Sequence, residues 1–161
     1  MNDDFLEIIP FSNNVHFLLE VPGSKSISNR ALILAVLNTN EVELQGILDS
    51  KDVNIMMDAL IKLGVDLKHD REKNTVKIKG CGGVLPVKKA MINVGNAGTV
   101  ARFLTALLSL QKEGEYSLDG CEAMRKRPMQ GLLNALEFHG TEFSFEREKN
   151  CFPFSMKTNS L

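Results

Sequence analysis

Disulfide and zinc chemistry have little to work with in this sequence. The three cysteines, Cys81, Cys121 and Cys151, are odd in number and far apart, and no Cys-x-x-Cys pair occurs. His16, His69 and His139 are isolated from one another. Neither a disulfide framework nor a zinc site is expected, and the cysteines read as reduced or packing residues. No run of about eighteen apolar residues exists, so no membrane span is expected. The net charge of -1 argues against a general nucleic-acid or membrane-binding surface, so local basic clusters have to be judged as sites. The opening MNDDFLEII is acidic and lacks a basic n-region. Neither a secretory signal nor an Arg-rich transit peptide is expected, and the cytoplasm is the expected compartment. No glycine precedes Gly23, and Ser24 separates it from Lys25. That spacing excludes a P-loop.

What is present is a chain of 161 residues, 43% hydrophobic and 24% charged. This suits one globular domain with a real core, or part of a larger one. The stretch VPGSKSISNR, Val21 to Arg30, organises it. An alternating apolar run feeds Pro22, Gly23 and Ser24, and a helix follows from about Ser26 to Leu37. The free N–H groups at such a helix opening favour an anion. Ser26 and Arg30 are four residues apart and share a helix face. Lys25 adds a point charge, and Arg30 a planar fork suited to phosphate oxygens. The residues read as a phosphate or carboxylate site, against the alternative of an ordinary capped helix whose basic residues face water.

Around that stretch, Phe5 to Ile9 and Val15 to Val21 read as strands. The first helix is apolar almost all round, which predicts deep burial. A strand at Val42 to Gln45 and a helix capped by Asp49 or Ser50 follow, with Gly64 at the helix C-terminus. Two strands, Val65 to Lys68 and Thr75 to Lys79, flank a charged turn. Met91 to Val94 reads as a strand and about Thr99 to Leu110 as a helix. Lys112 to Glu115 reads as a turn, Tyr116 to Leu118 as a strand, and Pro128 as part of the first turn of a helix ending near Gly140. Two strands close the chain.

The order repeats. DALIKLGVDLKHDREKN at 58–74 aligns with NALEFHGTEFSFEREKN at 134–150, an offset of 76 residues. Leu44 to Gly46 matches Leu118 to Gly120 at an offset of 74, and Val21 to Ser26 falls opposite Val94 to Thr99 at 73. The expected fold is therefore α+β, a tandem βαβαββ repeat with two units present. Equivalent helix openings at Ser24–Ser26 and Asn96–Thr99, with Arg30 and Arg102 one turn inside, are expected to face one region.

VPGSKSISNRAL, NVGNAGTVARFL and MRKRP, with LDSKDV between the first two, resemble the N-terminal signatures of the 5-enolpyruvylshikimate-3-phosphate synthase family. The resemblance covers essentially the whole chain. The paralogous UDP-N-acetylglucosamine enolpyruvyl transferase has Lys-Asn where this chain has Lys25-Ser26. The resemblance implies the enolpyruvyl transferase fold, an inside-out α/β barrel. It implies transfer of an enolpyruvyl group from phosphoenolpyruvate to the 5-hydroxyl of shikimate 3-phosphate, with loss of phosphate and no metal or organic cofactor. Lys25, Ser26 and Arg30 are implied ligands of shikimate 3-phosphate, expected at its phosphate. Lys25, Gly98 and Arg127 are implied ligands of phosphoenolpyruvate, with Lys25 the catalytic candidate. Asn96, Thr99, Arg102 and Asp49 form a second tier. Asn96 lies in the stretch that lines the glyphosate site, where a side chain at Gly98 would crowd the space.

Family members run to more than twice this length, with six repeat units in two lobes. Residues 1–22 are expected to complete the other lobe, and 23–161 to form a partial substrate-binding lobe of units 23–93 and 94–161. The Ser-Ser-Gln segment that holds the shikimate ring, and the acidic residues and lysine that move protons, are expected beyond this chain. Three readings stay open: a truncated form of the synthase, a half-site that holds phosphorylated ligands without turnover, and an inactive remnant. Exposed N-terminal strands are expected to drive self-association.

Overall fold

The computed structural model describes residues 6–159. Ser24 starts the first helix. Its hydroxyl accepts from the Ile27 N–H at 3.4 Å and caps α1, Lys25–Leu37. Then come β1 (Glu41–Gln45), α2 (Lys51–Lys62), β2 (Leu67–Asp70) and β3 (Thr75–Lys79), in a sheet ordered β1-β3-β2 with antiparallel pairs. The second half has β4 (Lys89–Asn93), α3 (Gly98–Ser109), β5 (Lys112–Asp119), the short α4 (Glu122–Arg125), α5 (Gln130–Phe138), β6 (Glu142–Phe145) and β7 (Phe154–Asn159). Its sheet runs β4-β5-β7-β6, with β4 and β5 parallel and joined through α3.

The order β5-β7-β6 repeats β1-β3-β2, and the local chemistry repeats with it. Gly64 (φ 88°) and Gly140 (φ 92°) close α2 and α5 in the left-handed region. At each, two N–H groups fold back on the last carbonyls: Gly64 on Ile61 and Val65 on Leu60, Gly140 on Glu137 and Thr141 on Leu136. Asn74 (φ 50°) and Asn150 (φ 64°) end the two charged turns in the same region, which asparagine tolerates better than most side chains. These positions are 76 residues apart, as in the sequence alignment.

The helices meet between the sheets. α1 and α2 pack on the first sheet, α3 and α5 on the second, and α3 also touches both α1 and α2. Leu32, Val36, Met56, Leu60, Val100, Leu104 and Leu108 are fully buried at that junction. No helix among the described residues is long and apolar enough to cross a membrane.

Several expectations are corrected. Residues 6–9 and 15–21 form no strand, and Phe5 lies outside the described residues. Where β4 pairs with β5 and buries Ile92, the segment 15–21 buries no side chain. Leu18 is 95% exposed, so nothing offsets the entropy of ordering a lone strand. The first helix is not deeply buried: Ile27 and Leu34 are 68% and 65% exposed. α2, α3 and the sheet cover only one side of it. The expected turn at Lys112 to Glu115 is the opening of β5. Its turn residues form an irregularity in which Glu113 has φ 57° and the Gly114 N–H is bonded by the Thr158 hydroxyl at 2.9 Å. Pro128 precedes α5 rather than entering it, and a separate short helix, α4, takes up the chain before it.

Gln111 ties the halves together. Its buried amide accepts from the Leu85 N–H at 2.8 Å and donates to the carbonyls of Gly83 (2.8 Å) and Leu107 (3.0 Å). Replacing it by methionine keeps the volume and strands these groups. Gln111→Met is expected to lower unfolding free energy by about 2 kcal/mol or more, read as a fall in the urea midpoint with the slope unchanged.

Candidate functional site

The openings of α1, α2 and α3 surround one cleft of about 730 Å³. The chain enters α1 through Gly23 because the path is tight: a Cβ there would stand 2.3 Å from the Gly46 carbonyl oxygen. The Ser28 hydroxyl then accepts from the Leu48 N–H at 3.1 Å, fixing α1 against the entry to α2. Lys25, Ser26 and Arg30 of α1 line the cleft, facing Lys51, Asp52 and Ile55 of α2. Asn96, Gly98, Thr99, Arg102 and Phe103 close another side, and Arg127 completes it. Among the described residues, five basic side chains thus share the cleft with one carboxylate, a balance that favours anionic ligands.

Four of the cations have partners within the protein. Lys25 Nζ lies 3.1 Å from Asp52 Oδ2. Arg30 donates from Nη1 to the carbonyl of Ser26 at 3.2 Å and to its hydroxyl. Arg102 donates to the carbonyls of Gly98 (3.1 Å) and Pro128 (3.3 Å). Arg127 Nη1 donates to the Asn96 carbonyl at 3.4 Å. Gly98 makes room for two of these: a Cβ there would sit 2.9 Å from Arg127 Nη1 and 3.4 Å from Arg102 Nη1. Unlike α1 and α2, α3 has no side-chain cap, and the residues at its opening, Gly98 and Thr99, line the cleft.

Arg127 is aimed by a pinned turn. Asp119, at the end of β5, accepts from Arg125 Nε (2.9 Å) and Nη2 (2.6 Å) and from the Gly120 N–H (2.7 Å). The Cys121 N–H bonds the Gly95 carbonyl at 2.8 Å, tying this turn to the loop that opens α3. The Arg125 guanidinium holds the Asp119 carboxyl below its ordinary value, and Asp119 in turn raises Arg125.

The structure thus brings Lys25, Ser26, Arg30, Asn96, Gly98, Thr99, Arg102 and Arg127 to one place. Asp49 is not among the residues lining it. Its carboxylate accepts from the Asn54 side chain at 2.8 Å, and Ser50 is the residue that caps α2. Lys51, Asp52, Ile55 and Phe103 were missed by sequence reasoning. With Ser50 as N-cap, positions 51, 52 and 55 fall in the first turns of α2, so the LDSKDV motif carried a usable signal. Phe103 carried none, since its role depends on α1.

A family model of EPSP synthase (3-phosphoshikimate 1-carboxyvinyltransferase) matches residues 12–161. The 3-phosphoshikimate 1-carboxyvinyltransferase of Opitutus terrae is 39% identical over 159 residues, which are 98% of this chain and 37% of that protein. The one from Marinomonas sp. is 40% identical over 143 residues, 89% of this chain and 33% of that protein. The chain therefore spans little more than a third of the length of these relatives. A solved EPSP synthase from Acinetobacter baumannii superposes with a TM-score of 0.79 at 28% identity, over 87% of this chain and 31% of that one. The enolpyruvyl transferase NikO from Streptomyces tendae shares the fold, with a TM-score of 0.52 at 12% identity over 81% of this chain and 29% of its own.

The Asp119–Arg125 pair has a pH consequence. A carboxyl lowered by folding contributes stability above its unfolded value, and that contribution is lost as pH falls through the folded one. Asp119→Asn removes it. The stability gap between wild type and Asp119→Asn is expected to be widest near neutral pH and to shrink below about pH 4. Urea midpoints of both proteins across that range check it; a constant gap contradicts it.

Proposed function

The chain belongs to the EPSP synthase family, and on that premise we propose that its cleft binds the two anionic substrates of enolpyruvyl transfer. Shikimate 3-phosphate is held by Lys25, Ser26 and Arg30. Phosphoenolpyruvate is held by Lys25, Arg127 and the backbone at Gly98, with Asn96, Thr99 and Arg102 alongside. The supporting observation is the convergence of four cations, Lys25, Arg30, Arg102 and Arg127, with the openings of α1 and α3 on one cleft. The reaction joins the 5-hydroxyl oxygen, as it gives up its proton, to the enol carbon while the methylene takes up a proton; the methyl group so formed then loses a proton as phosphate leaves, which restores the enol ether. Lys25, within reach of both ligands in this reading, stabilises the charge on the phosphate.

The same cleft is poor in acid–base groups. Among the described residues its one lining carboxylate, Asp52, is engaged by Lys25. Proton transfer needs positioned groups of suitable pKa. The isolated 161 residues are therefore proposed to bind shikimate 3-phosphate weakly and not to turn over, with units 23–93 and 94–161 as part of one lobe and residues 1–22 as part of another.

Titration with shikimate 3-phosphate tests the binding. A charge-assisted hydrogen bond contributes about 1.5–3 kcal/mol, so Arg30→Ala is expected to weaken binding by about tenfold or more. Lys62→Ala, at an exposed position of α2, is expected to match wild type. Identical curves for wild type and Arg30→Ala would remove the assignment. Steady phosphate release that depends on both substrates and is lost in Lys25→Ala would overturn the proposed lack of turnover.

The N-terminal segment adds a second expectation. Leu6, Ile8, Phe17 and Leu19 are exposed. The chain is expected to self-associate through them, and removal of residues 1–21 to reduce that association in sedimentation experiments. Unchanged sedimentation after the deletion would contradict this.

A further inference from the structure

One aromatic ring stands among the cations of the cleft. Phe103, on α3, lies beneath the guanidinium of Arg30, on α1, with Arg30 Cζ 5.3 Å from the ring centroid. Both residues line the cleft. The ring is itself anchored, since Phe103 packs partly buried against the hydrophobic core.

Arg30 needs such a support. Its side chain is long and exposed, and among the described residues its hydrogen bonds go only to Ser26, one turn earlier on the same helix. Among the described residues, no carboxylate pairs with it, whereas Lys25 is paired with Asp52. An acid beside Arg30 would fix the guanidinium but would also occupy its donors and repel an anionic ligand. An aromatic face attracts the cation through its quadrupole and leaves the N–H groups at the guanidinium edge free. A ring is thus a partner that orients the charge without spending it.

We propose that Phe103 is a positioning residue for Arg30, holding the guanidinium flat so that its edge meets the anionic group of the ligand. The inference rests on the reading of Arg30 as a ligand-binding residue. It also assigns a function to the contact between the repeat units: α3 of the second orients the anion-binding arginine of the first.

Two readouts test this. In the ligand-free protein, the Arg30 side-chain NMR signals (Hδ and Hε) are expected to carry an upfield ring-current shift. That shift is expected to vanish in Phe103→Leu and to persist in Phe103→Tyr. In titrations with shikimate 3-phosphate, Phe103→Leu is expected to weaken binding by about twofold to fivefold, the size of an exposed cation–π contact, while Phe103→Tyr stays near wild type. In an Arg30→Ala background, Phe103→Leu is expected to add nothing, because the residue it acts through is gone. Arg30 signals unmoved by Phe103→Leu, or the same weakening with and without Arg30, would overturn the proposal. If wild type binds no shikimate 3-phosphate, the functional reading fails while the ring-current shift still decides whether Phe103 holds Arg30. Should Phe103→Leu not fold, Phe103→Met carries the same comparison.

Discussion

Crowding of like charge is the constraint around which this structure is arranged. Among the described residues, Lys25, Arg30, Lys51, Arg102 and Arg127 line one cleft with Asp52 as the only lining acid. Two cations about 4 Å apart repel by about 1 kcal/mol in water and about 4 kcal/mol at the effective dielectric of a protein surface. The scaffold offsets this mostly without neutralising it. Arg102 and Arg127 donate to backbone carbonyls, and Arg30 leans on a ring and on Ser26. Carbonyls and rings carry partial charge, so they orient a guanidinium while leaving the cleft positive. Glycine at position 98 is part of the same solution. It removes a side chain where two guanidinium groups and the opening of α3 come together.

Duplication explains why these groups meet at all. Each half places its sheet on the outside and its helices inward, so the openings of α1 and α3 lie at equivalent points of the two halves. Packing α3 against α1 and α2 brings those points to one cleft. The duplication is incomplete in one respect. β4 has a parallel partner in β5 and buries Ile92, while the segment 15–21 forms no strand pair among the described residues.

Features controlled by local chemistry were legible in the sequence. Ser50, one of the two candidates for the cap of α2, takes that place because a hydroxyl at an N-cap reaches the third N–H beyond it, and that geometry is fixed by three or four residues. Gly64, Gly140, Asn74 and Asn150 are legible for the same reason. The cleft was legible in outline because the repeat relates its two halves. What could not be read depended on partners distant in the chain. The apolar pattern of α1 says nothing about how many sides will be covered. The turn residues at Glu113 and Gly114 fit a strand irregularity as well as a hairpin until β7 supplies the Thr158 hydroxyl. Phe103 is a plain core position of an apolar helix until α1 sets Arg30 above it.

The uncovered side of α1 bears on how strongly the cleft binds. Ile27 and Leu34 are seven residues apart, with Arg30 and Ala31 between them, so the exposed apolar face and Arg30 belong to one helix face. In the isolated chain that face meets water, which screens the charge of Arg30. Any body that covers Ile27 and Leu34 also strips water from the flank of Arg30 and lowers the dielectric around it. The same donors then bind an anion more tightly without moving. Covering the apolar face and strengthening the site are therefore one event, because a single helix carries both.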